Sequence, residues 1–279
     1  MGRLPHIVAA PLAAAAAACA TGAFAGELQP HRAVYDLSLA RVEPSASIST
    51  AEGRLVFEVS GNVCEGFVVN SRIVTRIADR EGNMRVTDLR SSTFETMEPA
   101  SFTFLNRTYI DDMLVSEVKG RADGRAGGVA VTLNEPKDSE MTLGRAVFPT
   151  AHTLLMLEAA REGERILEAT IFDGGENADT LFDTTTFIRP VETGLAGAGR
   201  GEEAALSALE DAEALDLWRL SISYFEKGKE ADGEQLPDYA LSFRMLENGI
   251  SYDVELDHGS FALSGSLAEL ELTEAADGC

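Results

Sequence analysis

Hydrophobic and polar side chains alternate with a period of two along most of this chain. Tyr35, Leu37 and Leu39 alternate with polar neighbours, and a longer run of the same kind spans residues 67–77. Successive side chains of a β-strand point to opposite faces, so this alternation predicts strands that bury one face. The candidate strands are 35–39, 55–59, 67–77, 84–95, 100–111, 114–121, 129–134, 139–148, 166–172, 181–191, 215–226, 238–246, 250–256 and 261–272.

Short turn signals separate these runs. Asn248-Gly249 lies between two alternating runs and is a strong hairpin signal. Residues 81–83, Asp123-Gly124 and residues 257–259 predict further turns. Short connections favour an antiparallel meander, and about 13 or 14 strands are too many for a flat open sheet. We therefore expect a mainly β protein whose sheet curls, closes or spirals to protect its edges.

One segment has helical rather than alternating spacing. It extends from Pro149 to Gly163, and its apolar residues recur at the spacing of one helix face. Thr150 is the predicted N-cap and Gly163 the predicted C-cap. We expect one amphipathic helix that plugs the open face of the curled sheet or lies across it.

A second segment, residues 194–214, interrupts the strands. It begins rich in glycine and continues rich in Asp and Glu. We predict a flexible acidic loop, which leaves room for a short helix from Glu202 to Glu213. The segment could also separate two domains, but the strand pattern is alike on both sides. We therefore expect residues 26–279 to form a single domain.

The first 25 residues have the pattern of a cleaved signal peptide. Arg3 supplies the positive charge, residues 7–18 are apolar, and Ala23-Phe24-Ala25 matches the small-residue cleavage pattern. The apolar run is too short for a membrane anchor, which needs about 20 residues. Signal removal before Gly26 therefore predicts an exported protein without a transmembrane segment. Lipidation at Cys19 is the alternative, although Ala16 stands where such signals usually have leucine.

The chain is strongly acidic, with a formal net charge of −23. Such a surface repels nucleic acids and anionic lipid head groups, and it argues against both as partners. Basic protein partners, cations and simple solubility remain compatible with the charge.

Removal of the signal leaves two cysteines, Cys64 and Cys279. An even number in an oxidising compartment predicts a disulfide. The closed loop would hold about 215 residues, for which the chain-entropy model gives roughly 5 kcal/mol as an upper figure. Two free thiols or a metal pair are the alternatives, but neither cysteine has a Cys or His nearby at ligand spacing.

No motif predicts catalysis or a cofactor. His31, His152 and His258 lie in unlike contexts, and the sequence has no G-x-S-x-G, P-loop, dinucleotide fingerprint or CxxC. We therefore expect structural or solvated histidines and neither a catalytic residue nor a cofactor.

Four acids cluster within eleven positions, and they suggest a cation site or a carboxylate pair: Asp173, Glu176, Asp179 and Asp183. The spacing of a calcium loop is absent, so we predict no metal site. The carboxylate pair leaves one alternative function, an exported hydrolase that acts on glycans.

Several short motifs, taken in their order along the chain, resemble those of a known protein family. They are residues 30–37, Cys64-Glu65-Gly66, Phe148-Pro149-Thr150, Ile171-Phe172-Asp173-Gly174 and the distant Cys279. In these motifs and their order, the chain resembles the alphaproteobacterial EipB-type family of cell-envelope integrity proteins.

The resemblance implies a periplasmic, non-enzymatic protein that supports the cell envelope. The implied fold is an antiparallel β-spiral, an incompletely closed barrel of about 13–14 strands with one α-helix. Its shape would be similar to the lipoprotein carrier proteins, and its bridge would join Cys64 to Cys279. The implied partner is a periplasmic protein, a lipid or a lipoprotein. We expect it to bind an apolar cavity lined by residues such as Tyr35, Phe57, Phe67, Leu154 and Trp218.

Overall fold

The computed structural model describes residues 28–175, 178–191, 195, 197–210, 212–229 and 235–273. The predicted signal peptide of residues 1–25, the acidic residue Glu176 and the cysteine Cys279 lie outside the described residues.

Most of the described chain is β-strand, and few segments are helical. The strands are β1 (His31–Val42), β2 (Ile48–Asn62), β3 (Gly66–Asp79), β4 (Met84–Thr96), β5 (Ser101–Ile110), β6 (Met113–Arg125), β7 (Gly128–Glu135), β8 (Ser139–Leu143), β9 (Ile166–Ile171), β10 (Phe182–Pro190), β11 (Leu217–Glu226), β12 (Tyr239–Leu246), β13 (Ser251–Asp257) and β14 (Phe261–Leu272). The helices are α1 (Pro149–Arg161) and α2 (Arg200–Leu206), with a 3-10 turn at Ala212–Ala214.

These strands form one 14-stranded sheet, with the order β8-β7-β6-β5-β4-β3-β2-β1-β14-β13-β12-β11-β10-β9. Each neighbouring pair is antiparallel, and β1 pairs with the last strand, for example Leu37 opposite Gly265. Two meanders therefore extend in opposite directions from the β1–β14 pair. The predicted mainly β, antiparallel and incompletely closed fold is confirmed.

The two edge strands do not pair with each other in the described chain. The segment that follows β8 nevertheless reaches β9, where Val147 forms an isolated parallel bridge with Ile171. The Val147 N–H donates to Thr170 O, and the Phe172 N–H donates to Val147 O, at 2.9 and 3.0 Å. The sheet therefore curls far enough for its two ends to meet at one point without a continuous ladder. Neither helix has the length and apolar character needed to cross a membrane.

The turn predicted at Asp123-Gly124 is wrong. Both residues lie inside β6, where Asp123 is opposite Ser101 on β5 and Gly124 is opposite Val129 on β7. Pairing on both sides outweighs the local turn preference of the Asp-Gly dipeptide. The chain reverses only after Arg125.

The described residues hold two α-helices rather than the one predicted. Helix α2 lies in segment 194–214, for which we predicted a flexible acidic loop with room for a short helix at 202–213, and it packs against β14. The acidic residues at its start led us to expect a solvent-exposed segment. In the structure, however, Glu202 is 4% exposed and Leu206 is fully buried. Burial of one helix face orders part of this segment, and the 3-10 turn follows it.

Two hydrophobic clusters fill the inside of the curled sheet. The larger one includes Leu157 of α1, Leu220 of β11 and Tyr252 of β13. The smaller one contains four phenylalanines, among which Phe102 and Phe172 each contact the other three rings: Phe102, Phe104, Phe148 and Phe172. Fully burying a side chain of this kind contributes about 1.5–3 kcal/mol, so both clusters stabilise the curled form.

Candidate ligand-binding cavity

A cavity lies on the inner side of the curled sheet, beneath helix α1. It consists of two adjoining pockets of about 380 and 330 Å³, and both are lined by His31, Phe57, Thr153 and Gly249. Each volume falls within the roughly 300–1,000 Å³ range of small-molecule sites.

The smaller pocket, here called the apolar pocket, is lined mainly by aliphatic and aromatic side chains. Its further lining residues are Tyr35, Leu55, Ser71, Ile73, Met156, Leu241, Phe243, Met245, Ser251, Val254 and Leu256. The phenol of Tyr35 donates to the carbonyl of Ser251 at 2.7 Å, so its polar atom is already satisfied. The wall is therefore suited to an alkyl or aryl group.

The larger pocket, here called the mixed pocket, combines apolar and polar side chains. Its further lining residues are Leu28, Val59, Val69, Ser91, Thr93, Phe102, Asn106, Pro149, Thr150, Asp173 and Gly175. More of the polar lining groups lie in this pocket, so one end of the cavity is more polar than the other.

Strand alternation explains which side chains face the cavity. On β3, Val69, Ser71 and Ile73 line it, whereas the intervening Asn70 and Arg72 are exposed. Ser71 lies directly opposite Ser91 on β4. Two small side chains at facing inward positions leave space that larger residues would fill, and this is one local reason for the cavity.

Helix α1 is held over the cavity by a carboxylate from the sheet. Glu95 of β4 accepts the backbone N–H of Thr150 and that of Ala151, each at 2.7 Å. Thr150 is therefore not the N-cap that we predicted: Phe148 occupies that position without a side-chain hydrogen bond, and Pro149 begins the helix. The Glu95 carboxylate satisfies the free N–H groups and complements the positive end of the helix dipole. At the other end Glu162 is the C-cap, and Gly163 follows with φ +80°.

The histidines have separate roles. His31 begins β1, is 4% exposed and faces both pockets, with its Nδ1 at 2.7 Å from the carbonyl oxygen of Gln29. Because that oxygen only accepts, Nδ1 carries the proton and Nε2 is an acceptor in the neutral ring. Burial lowers the pKa of His31, which favours that neutral ring. Burial also lowers the pKa of His152 to about 4, and His258 stacks on Phe261 in the β13–β14 turn.

Asp173 and Asp183, two of the clustered acids that the structure describes, have different partners. Asp173 lines the mixed pocket, where its Oδ1 accepts the Gly175 N–H at 2.9 Å and burial raises its pKa. Asp183 instead binds Lys227 at 2.7 Å and Thr170 at 2.6 Å. Among the residues that the structure describes, no group of three or more His, Cys, Asp or Glu could hold a metal ion.

The predicted lining residues divide into two groups. Tyr35 and Phe57 line the cavity. Phe67, Leu154 and Trp218 instead pack in the larger hydrophobic cluster. Sequence reasoning missed the polar lining at Asn106 and Ser91, because only the strand register shows that these positions face inward.

Fold and cavity together define the class: a barrel-like antiparallel β protein whose incompletely closed sheet encloses an apolar cavity under one helix. The chain belongs to the EipB-like family, which matches residues 22–274.

Similarity to Brucella abortus protein, in sequence and in structure, agrees with this assignment. The cell envelope integrity protein EipB of strain 2308 is 35% identical over 256 residues, which cover 92% of this chain and 88% of that protein. A crystal structure described as a β-barrel-like protein of a domain of unknown function has a TM-score of 0.81 and 33% identity. That alignment covers 90% of this chain and the whole of the solved chain.

Proposed function

We propose that this chain is an exported, non-enzymatic protein that supports the integrity of the cell envelope by holding an apolar ligand group in its cavity. The family and the name of the EipB relative support the envelope role. The single observation that carries the binding role is the apolar pocket beneath α1, whose wall suits the alkyl part of a lipid or lipoprotein.

Uptake of an uncharged hydrophobic probe tests this proposal. Delipidated protein is titrated with N-phenylnaphthylamine, whose fluorescence rises in an apolar environment. We expect saturable binding that Ser71→Phe abolishes, because Ser71 faces the apolar pocket and a ring there would fill it. Asn70→Phe is the matched control, since the neighbouring side chain is on the exposed face of the same strand. Absence of saturable uptake by the folded wild-type protein would overturn the binding role.

A hydrolase that uses a carboxylate pair finds less support. Both oxygens of the Glu95 carboxylate accept N–H groups of α1, so this side chain is committed to holding the helix. Asp173 is then one buried carboxyl in the mixed pocket, without Glu95 as an available acid or base.

The proposed location is the periplasm, after removal of the signal at residues 1–25. The envelope role of the relative favours this location. An acidic exterior is compatible with a protein or lipoprotein partner and unfavourable for nucleic acid. Recovery of the protein with the periplasmic fraction, with Gly26 as the mature N-terminus, is the expected result.

We propose that Cys64 and Cys279 form the bridge expected in that compartment. Cys64 follows the end of β2, and the ends of β2 and β14 lie on either side of β1: His31 is opposite both Val59 and Leu272. Adjacent strands are about 4.8 Å apart, so the two ends are separated by roughly 10 Å. The residues from Thr273 to Cys279 could extend about 20 Å, which is sufficient to reach Cys64.

A further inference from the structure

The two pockets of the cavity differ in the kind of group that their walls favour. The apolar pocket is lined by side chains such as Leu55, Ile73 and Phe243. The mixed pocket carries Asn106 and Asp173 beside hydroxyl groups. A ligand that occupies both pockets must therefore be amphiphilic, with its polar part in the mixed pocket.

The polar groups of the mixed pocket include several hydrogen-bond acceptors. One N–H of the Asn106 amide donates to Gly174 O at 2.7 Å, and Oδ1 is an acceptor beside the second N–H. The Thr153 hydroxyl donates to Pro149 O at 3.1 Å, so its oxygen lone pairs remain. Neutral His31 presents an acceptor at Nε2, and the Asp173 carboxyl also has acceptor capacity. Such a wall is complementary to a head group that donates hydrogen bonds.

Among the described residues that line the two pockets, there is neither Lys nor Arg. The arginines of the adjoining strands lie at the alternate, outward positions and bind carboxylates there. Arg54 donates to Asp36 at 2.8 Å, and both Arg72 and Arg90 donate to Asp88. An anionic head group in the mixed pocket would be buried beside Asp173 without a cation from this lining. That arrangement is costly, because burial removes water from a charge that nothing compensates.

We propose that the cavity binds a single-chain amphiphile whose head group is uncharged and donates hydrogen bonds. Its alkyl chain occupies the apolar pocket, and its hydroxyl or amide groups donate to Asp173 and Asn106 in the mixed pocket. Acylglycerols and N-acyl amides belong to this class, whereas free fatty acids and phospholipids do not. The inference rests on the proposed ligand-binding function and narrows it to one chemical class.

Two ligands with the same alkyl chain test the head-group preference. Glycerol monomyristate and myristate are titrated separately, below their aggregation concentrations and at pH 8, into delipidated full-length mature protein by isothermal titration calorimetry. We expect glycerol monomyristate to bind at least about tenfold more tightly, which corresponds to about 1.4 kcal/mol. Asp173→Asn should reduce this preference at least about threefold, because it removes the buried carboxyl that disfavours an anion. Asp36→Asn, on the outer face, should leave the preference unchanged.

The outcomes separate the two proposals. Equal affinity for both ligands, together with saturable uptake of N-phenylnaphthylamine, would overturn the head-group assignment and leave the binding function in place. Tighter binding of myristate would overturn it as well. Failure of both ligands and of the uncharged probe to bind would overturn the proposed function itself. If folded Asp173→Asn kept the full preference for glycerol monomyristate over myristate, the role assigned to Asp173 would be overturned.

Discussion

Glu95 on strand β4 accepts a hydrogen bond from the backbone N–H of Thr150 at 2.7 Å, across 55 residues of sequence. The carboxylate also accepts the Ala151 N–H, so a strand residue caps helix α1 from outside the helix. Pro149, Thr150 and Thr153 of this helix line the mixed pocket. The same contact therefore holds in place the helix that covers the cavity.

Removal of the Glu95 carboxylate should destabilise the protein. Glu95→Ala leaves two N–H groups at the start of α1 without their acceptor, and each buried unsatisfied donor costs about 1–3 kcal/mol. At about pH 5 we expect a loss of about 2–4 kcal/mol in the free energy of unfolding, measured by urea denaturation with circular dichroism. Glu98→Ala, in the following turn, is the control. An unfolding free energy equal to that of the wild type would show that the cap contributes nothing.

The same residue should make stability fall as pH rises toward neutrality. Burial raises the pKa of Glu95 from its ordinary 4.5 to about 7, although the hydrogen bonds from Thr150 and Ala151 oppose this shift. Between these values the folded state holds a proton that the unfolded state has lost. The contribution of Glu95 to stability is therefore fully present below pH 4.5 and is lost as pH rises through about 7.

Glu95→Gln isolates this titration, because glutamine keeps the shape and cannot ionise. The unfolding free energy of the wild type minus that of the variant should decrease on the order of 2–3 kcal/mol from about pH 4.5 to about pH 7.5. Burial lowers the pKa of His152 to about 4, which gives an opposite slope between 4 and 6.5, but both proteins share it. A difference that stays constant across this range would contradict the assignment to Glu95.

The strands were predictable because their signal is local. Alternation between 67 and 77 marks both faces of β3 without knowledge of any other strand. The cap of α1 was not predictable in the same way, because Glu95 and Thr150 meet only after β4 has found its place in the sheet. A threonine beside Pro149 gave a plausible local cap, and tertiary structure supplied a different one.

The cavity was predictable in kind but only partly in its residues. Aromatic inward positions suggested the apolar lining, and Phe57 does line it. Phe67 does not, because it packs fully buried against the hydrophobic core. The space itself depends on the facing pair Ser71 and Ser91, and a pairing of that kind appears only when the register of β3 and β4 is known.

Glu202 should contribute far more to stability than its neighbour Glu203. Its Oε1 accepts the backbone N–H groups of Asp253 and Leu267, at 3.0 and 3.2 Å, immediately beyond the last β13–β14 pair. Its Oε2 accepts the Gly199 N–H at 3.0 Å.

Glu202→Ala should therefore lower the free energy of unfolding by about 2–4 kcal/mol, since buried N–H groups would lose their acceptor. Glu203→Ala, on the exposed face of the same helix, should change it by less than about 0.5 kcal/mol. Thermal and urea unfolding of both variants measure the contrast. Equal effects of the two substitutions would show that α2 does not hold the β13–β14 end.

Reduction should destabilise the oxidised protein through the proposed bridge between Cys64 and Cys279. A disulfide restricts the unfolded chain, and closure of about 215 residues gives an upper figure of roughly 5 kcal/mol. Reductant should lower the melting temperature of the wild type, and Cys64→Ser should lower it by a similar amount. Cys279→Ser is the matched variant, and reductant should leave both variants unchanged. Peptide mapping without reduction should recover a linked pair containing both cysteines, whereas equal melting of the wild type with and without reductant would refute the bridge.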